Sequence, residues 1–417
     1  MSENVHYTRW AEAPLHEALE DTPVVLVHGP RQCGKTTLVR TVADAADYRY
    51  VSFDDDMQRN AAINDPTGFL ELLPGKVALD EVQRVPQLFT AIKARVDRDR
   101  TPGQFILTGS ANVLLVPKLA DSLAGRMEII RLHPLAQCEL AGIRPTFLDA
   151  LFSGKFNAKP QKRLDEDLAE RIIAGGYPAA LTRSSARRRT RWYRDYVETL
   201  IQRDIKDLAR ISGLHIIPRL LQLAAGQTAH LLNIADMASP FQLSRPTIRD
   251  YVTLLESIFL LESTPPWHSN RISRLIKTPK LHICDTGLAA ALLGYDAEGL
   301  YHDRTLMGQL LESFVYQELR RQASWYNKDI SFHHFRDKDG AEVDVVLQCG
   351  ARHLAGVEVK AAATVNASDF KGMRKLREAT GKRFVVGIVL YDGENTVRFG
   401  EGMYAAPIRH LWETELS

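Results

Sequence analysis

The stretch Val24-Val25-Leu26-Val27-His28-Gly29-Pro30-Arg31-Gln32-Cys33-Gly34-Lys35-Thr36-Thr37 constrains this chain more than any other. An apolar run ends in a glycine, four residues intervene, and Gly-Lys-Thr opens a segment with helical character. Strand, loop and helix in that order make a phosphate-binding loop. A loop of that length turns successive backbone N–H groups inward, and glycine lets the chain approach an anion closely. Gly29, Pro30, Arg31, Gln32, Cys33 and Gly34 would form the cradle. Lys35 would reach the outer phosphates, Thr36 would offer its hydroxyl to Mg²⁺, and Thr37 would continue the helix whose N-terminus favours negative charge. The expected ligand is ATP with Mg²⁺.

The 417 residues should form two to four domains. Hydrophobic residues at 45% and charged ones at 25% are the balance of a globular protein rather than a disordered or membrane-spanning one. A net charge of +2 gives no global attraction to nucleic acid, so any such role must rest on local patches. Cys33, Cys138, Cys284 and Cys349 are widely spaced and form no metal-type pair, which suits free thiols in a reducing compartment. No apolar leader or long apolar run occurs, so a cytoplasmic protein without membrane contact is expected.

Four further apolar runs follow the loop, at 48–54, 77–81, 104–109 and 127–132, with helical patterns between them. That alternation predicts an α/β domain with a mostly parallel sheet. The run Val77-Ala78-Leu79-Asp80-Glu81 ends in two acids. Asp80 is placed to hold Mg²⁺ through water, and Glu81 to orient the attacking water. A strand ending in a solvated turn is the plainer alternative. Phe105-Ile106-Leu107-Thr108-Gly109-Ser110 predicts another strand, whose end would bring Ser110 or Thr108 near the γ-phosphate; a simple turn would leave the same pattern.

A helix is expected over 112–124, then Gly125-Arg126 and the last strand. This order of parts resembles the AAA+ ATPases. In that family an arginine finger between this helix and the final strand reaches the γ-phosphate of a neighbouring subunit, and Arg126 matches its position. The resemblance therefore implies self-association, as a dimer or a ring. An arginine pairing with the end of its own helix is the alternative. Gly-Pro-Arg-Gln-Cys-Gly-Lys-Thr-Thr, Leu-Asp-Glu-Val-Gln, Leu-Thr-Gly-Ser and Gly175-Gly176-Tyr177-Pro178 together resemble one prokaryotic ATPase family, which joins an AAA-type domain to a C-terminal region of unknown function. On that resemblance residues 1–135 form the ATPase core and 136–215 a helical lid. Within the latter, arginines from Arg183 to Arg194 alternate with Trp192 and Tyr193, a pattern suited to a phosphate backbone or to a solvated helix face.

Residues 216–300 read as a winged helix. A short amphipathic stretch, 234–238, precedes a turn and a helix over 243–256, with Ser244 as N-cap and Pro246 in the first turn. Apolar runs at 258–261 and 280–283 would form the wing, with Arg271, Arg274 and Lys277 between them. In DNA-binding versions the second helix enters the major groove, so Ser244, Arg245, Thr247 and Arg249 would face DNA. A packing module is the alternative.

Residues 301–417 carry a helix over 307–321 with Glu312, then strands at 330–335, 342–347 and 354–359. Glu358 and Lys360 share one strand face by the period of two, and Asp344 lies in the preceding strand. Two carboxylates and an ammonium at a sheet centre can bind Mg²⁺ and orient a water for phosphodiester hydrolysis. Helix, acid, then Glu-x-Lys resembles the PD-(D/E)xK nuclease fold, whose helix glutamate is matched by Glu312. The leading proline of that motif is missing here, and a half-exposed hairpin with a Glu–Lys pair would show the same pattern. The whole reading is an ATPase acting on DNA, with DNA as partner and a metal-dependent nuclease domain. The rival is an ATP-dependent switch whose degenerate nuclease-like domain binds a protein partner.

Overall fold

Val24–His28 is buried at every position, as a central strand covered on both faces must be. The computed structural model describes residues 7–110, 123–156, 159–205, 213–268 and 278–413. These form two compact units, Met1–Leu135 and Ala136–Ser417. The expected helix over 112–124 and the basic residues Arg271, Arg274 and Lys277 lie largely or wholly outside the described residues.

The first unit is built on strands β1 (Val24–His28), β2 (Arg49–Ser52), β3 (Val77–Asp80), β4 (Phe105–Gly109) and β5 (Met127–Arg131). They form one sheet in the order β2-β3-β4-β1-β5, parallel throughout. Alternate side chains feed two cores. Val24, Leu26, Leu79, Phe105 and Leu107 pack with Phe69, Leu88, Phe89 and Ile92 from helices on one face. Val25, Val27, Ala78 and Ile106 pack with Leu15, Leu38, Val39 and Val42 from helices on the other. Loops after β1, β3 and β4 therefore meet at one end of the sheet, where parallel α/β folds bind ligands.

The second unit holds two sheets. Strands β6 (His230–Leu231), β7 (Leu261–Thr264) and β8 (Lys280–Ile283) form a small antiparallel sheet in the order β6-β8-β7. Around it come the helices Ile217–Gly226, Ile234–Ala238 and Arg245–Ser257. The strand expected at 258–261 begins only at Leu261. Ile258 is the C-cap of the long helix and Phe259 turns the chain at φ 62°, so the apolar run is a buried corner.

The larger sheet comprises β9 (Ile330–Arg336), β10 (Glu342–Cys349), β11 (His353–Lys360), β12 (Phe384–Tyr391), β13 (Val397–Arg398) and β14 (Met403–Pro407). Its order is β13-β14-β12-β11-β10-β9. Strands β9 to β11 run antiparallel, whereas β11, β12 and β14 run parallel. The helix Arg304–Ala323 precedes the sheet, and Lys371–Thr380 crosses between β11 and β12. Strands β6 and β12 to β14 were not among those expected. Residues 136–215 belong to this second unit. There Glu166–Ala174 and Ala186–Leu200 pack on the buried helix Thr286–Leu293.

Candidate functional site

The loop after β1 is fixed from several sides. A side chain at Gly29 would bring its first carbon to 2.0 Å from the Leu132 carbonyl oxygen, so the loop lies against the chain leaving β5. Gly34 has φ 104°, open to glycine and strained for other residues, and it caps the helix Lys35–Ala45. Gln32 also has positive φ, at 59°, and Thr37 is exposed on the first turn. Pro30 and Arg31 complete the loop, and the Cys33 thiol turns inward towards the Leu132 carbonyl at 3.5 Å. Arg9, which nothing in the sequence pattern singles out, donates to the Cys33 carbonyl and to the His133 carbonyl, each at 2.7 Å. It clamps the loop to the segment beyond β5.

Lys35 is buried, and its ammonium donates to the carbonyls of Gly29 at 2.9 Å and Pro30 at 2.7 Å. Next to it, the Thr36 hydroxyl lies 3.1 and 3.3 Å from the two oxygens of Asp80. Asp80 also accepts from the Tyr50 hydroxyl at 2.6 Å and from the Thr108 hydroxyl. Burial and then the bond to Asp80 push the Tyr50 phenol up to about 12, so it remains a donor near neutral pH. A hydroxyl and a buried carboxylate converging on the loop are the donor set Mg²⁺ takes beside phosphates, so these residues fit that ion.

Glu81 has φ 58° and ψ 43°, a left-handed backbone that costs a residue with a side chain about 1 kcal/mol. The turn takes its carboxylate out of the strand line, and its N–H donates to the Thr108 hydroxyl at 2.9 Å. The Ser110 hydroxyl donates to the Glu81 carboxylate at 3.0 Å. Gln83 donates to that carboxylate and, at 3.2 Å, to Ser110. Thr108 thus holds both acids, while Ser110 and Gln83 orient the second. The loop lysine and threonine, two acids and their hydroxyl supports lie at one end of the sheet. They can bind a polyphosphate, hold its metal and direct a water.

Arg126 lies at the other end. It precedes β5, whose first residue Met127 pairs with Val24, whereas the loop follows His28. Five strand residues, about 16 Å, separate the two positions. Its guanidinium donates to Asp97 at 2.6 Å and to the Ala124 carbonyl at 3.1 Å.

In the second unit, Ser244 caps its helix by accepting from the Thr247 N–H at 3.3 Å, and the two hydroxyls lie 2.8 Å apart. Arg245 and Arg249 are exposed and share a helix face by their spacing of four. Thr247 is partly covered.

The expected carboxylates of the large sheet do come together. In β10 the register against β9 shifts between Val343 and Val346, a bulge that re-aims Asp344. Asp344 accepts the Val359 N–H at 3.0 Å, and Lys360 donates to Glu358 at 3.1 Å. The residue missing from the sequence reading is Lys280, the first of β8. Its ammonium lies 2.5 Å from Glu312 and 3.3 Å from Asp344. Burial pulls the Lys280 pKa down, but Glu312 and Asp344 outweigh it and the net shift is upward. Burial and then Asp344 raise Glu312 well above the ordinary carboxyl range and push Glu358 up to about 8. One of the Glu358 oxygens is buried without a hydrogen-bond partner among the described residues. The only sequence signal for Lys280 was a lysine heading an apolar strand.

A second buried ionic group also escaped notice. Asp285 accepts from Gly176 N–H at 2.8 Å and Gly287 N–H at 3.0 Å, and Arg321 lies 3.4 Å from it. Arg321 also pairs with Glu318 at 2.7 Å. This group ties the Gly175–Pro178 segment to the helices Thr286–Leu293 and Arg304–Ala323, so that segment is structural.

Residues 21–141 match the family model described as an AAA domain. Residues 165–299 and 307–411 match two domains of unknown function, DUF8612 and DUF4143. The first unit is accordingly an ATP-binding and ATP-hydrolysing domain. An uncharacterized protein of Mycobacterium tuberculosis, Rv2008c, is 30% identical over 413 residues, covering 97% of this chain and 85% of its own. The Mycobacterium bovis protein Mb2031c matches equally. Among solved structures, the Walker-type ATPase PABY2304 of Pyrococcus abyssi is 16% identical with a TM-score of 0.39, covering 68% of this chain and 94% of that one. A RuvB mutant of Thermotoga maritima is 18% identical with a TM-score of 0.30, covering 61% and 89%. No described helix is long and apolar enough to cross a membrane, and the four buried cysteines form no disulfide.

Proposed function

The chain belongs to the family of the mycobacterial proteins Rv2008c and Mb2031c, and from that premise we propose that its ATPase acts on DNA through the second unit. The observation that carries the ATPase part is the chain of contacts Thr36–Asp80–Thr108–Glu81–Ser110 beside Lys35. Lys35 would neutralise the outer phosphates, and Thr36 with Asp80 would hold Mg²⁺. That ion would screen the phosphate charge when bound. Glu81, oriented by Ser110 and Gln83, would align the attacking water and accept its proton.

Arg126 acts on a neighbouring copy in this reading, since it lies too far from its own loop to touch the same nucleotide. Its bond to partly exposed Asp97 would exchange for the neighbour's phosphate. DNA contact is assigned to Arg245 and Arg249. The order helix, strand, helix, helix, strand, strand over 217–283 supports a winged-helix reading, in which these two arginines lie on the first turns of the third of those helices. In this reading 1–135 is the ATPase core, 136–215 the lid, 216–300 the DNA-binding part and 301–417 the nuclease-like part, the last three within one compact unit. ATP turnover measured with and without single-stranded, duplex and branched DNA tests it, with stimulation that weakens as salt rises expected.

A second reading has a specific observation in its favour. Helix, three antiparallel strands, crossing helix and parallel strand over 304–391 support the nuclease-like reading, yet an ammonium sits among the carboxylates. The C-terminal domain would then bind a partner instead of cutting DNA, with ATP governing the exposed surface.

A further inference from the structure

A nuclease-like domain implies a divalent ion held by Glu312, Asp344 and Glu358. The residues around those carboxylates do not fit one. A Mg²⁺ ion needs its oxygens at about 2.0–2.1 Å in a near-octahedral shell. Here the Lys280 ammonium bridges Glu312 at 2.5 Å and Asp344 at 3.3 Å, in the space between the two groups that would ligate the ion. The other oxygen of Asp344 is committed to the Val359 N–H, and one oxygen of Glu358 to Lys360. Among the described residues no group of three or more His, Cys, Asp or Glu side chains is arranged to hold a metal.

Charge makes the same point. Three carboxyl groups face two ammonium groups, so at most a single net negative charge remains in a mostly buried site even with every carboxyl ionised. A divalent ion added there would be repelled by Lys280 at close range, in surroundings that screen poorly. Lys280 has little freedom to leave. It is 4% exposed and begins β8, the middle strand of the small sheet, whose pairing with β6 and β7 includes Lys280 itself.

We propose that Lys280 is the resident cation of this cluster and closes it to divalent metal. The domain is then a nuclease-like scaffold without phosphodiesterase chemistry. The same ion group fastens the small sheet to the helix Arg304–Ala323. The inference rests on the second reading above for the nuclease-like order of elements, and on distances and charge for the exclusion of metal.

The test is Mn²⁺ uptake by the full-length, nucleotide-free protein, followed by electron paramagnetic resonance. The wild type and Asp344→Asn should give the same isotherm, since the cluster holds no Mn²⁺ in either. Lys280→Met should gain one site, at least about tenfold tighter than any wild-type site lacking nucleotide. The double variant Lys280→Met/Asp344→Asn should lose it again. Thermal melting should show Lys280→Met weakened in chelator and restored by Mn²⁺, with no such rescue of the wild type. Wild-type uptake that vanishes in Asp344→Asn would overturn the proposal, as would a folded Lys280→Met that gains no site. Should Lys280→Met fail to fold, the wild type and Asp344→Asn decide the matter alone. Basal and DNA-stimulated ATP turnover, measured on the same wild-type sample, report separately on the ATPase reading.

Discussion

Asp80 accepts hydrogen bonds from three hydroxyls, those of Thr36, Tyr50 and Thr108, and this fixes which way its carboxylate faces. Thr108 is the residue that couples the two acids, because it also receives the Glu81 N–H. Thr108→Val should therefore lower kcat by about 10- to 100-fold while ATP affinity changes little, the pattern of a positioning residue. Equal loss in affinity, by nucleotide titration, would make Thr108 a part of the binding loop instead. Lys35→Ala should abolish nucleotide binding. Glu81→Gln should bind ATP and lose at least about 100-fold in turnover, measured by phosphate release. The loop, Asp80 and Glu81 were legible because their chemistry demands fixed spacing along the chain. Arg9, Tyr50 and Lys280 were not, since each reaches its partner across 24 or more residues through the fold.

At the scale of elements, a parallel sheet needs its central strands buried on both faces, so β1, β3 and β4 stand out as apolar runs, whereas the edge strands β2 and β5 are partly exposed. Strand β6 is two residues long and leaves no such period. The apolar run at 258–261 misled because a buried corner and a buried strand have the same composition. Buried elements also carry a pH dependence. Burial first, then Arg131 and Lys35, lowers His28 to about 4, and burial lowers His410 to about 4. Both histidines are neutral in the folded state, and the unfolded chain binds protons from about pH 6.5 downward. The stability these two histidines contribute is full above that pH and is lost as it falls towards 4. Each histidine contributes up to roughly 3 kcal/mol to that loss. Thermal melting from pH 7.5 to 4.5 should fall steeply below pH 6.5, and His410→Gln should flatten the slope. A melting temperature unchanged over that range would contradict it.

For the whole molecule, the proposed finger role has Arg126 of one copy serve the Glu81 site of another. Arg126→Ala should bind ATP normally and lose hydrolysis that depends on protein concentration. Mixing it with Glu81→Gln should restore part of the activity, because some interfaces then pair an intact Glu81 with an intact Arg126. No recovery, together with a monomeric mass at working concentration, would remove the finger role. What the second unit does with the ATPase is the central claim, and DNA is its proposed object. The direct measurement is steady-state ATP turnover of the wild type, with Glu81→Gln as the blank, over a salt series and with single-stranded, duplex or branched DNA. The account predicts that at least one DNA form raises turnover, that the effect falls as salt rises, and that Arg245→Ala/Arg249→Ala removes it while basal turnover stays. Turnover indifferent to every DNA form at low salt, with no DNA bound, would contradict it.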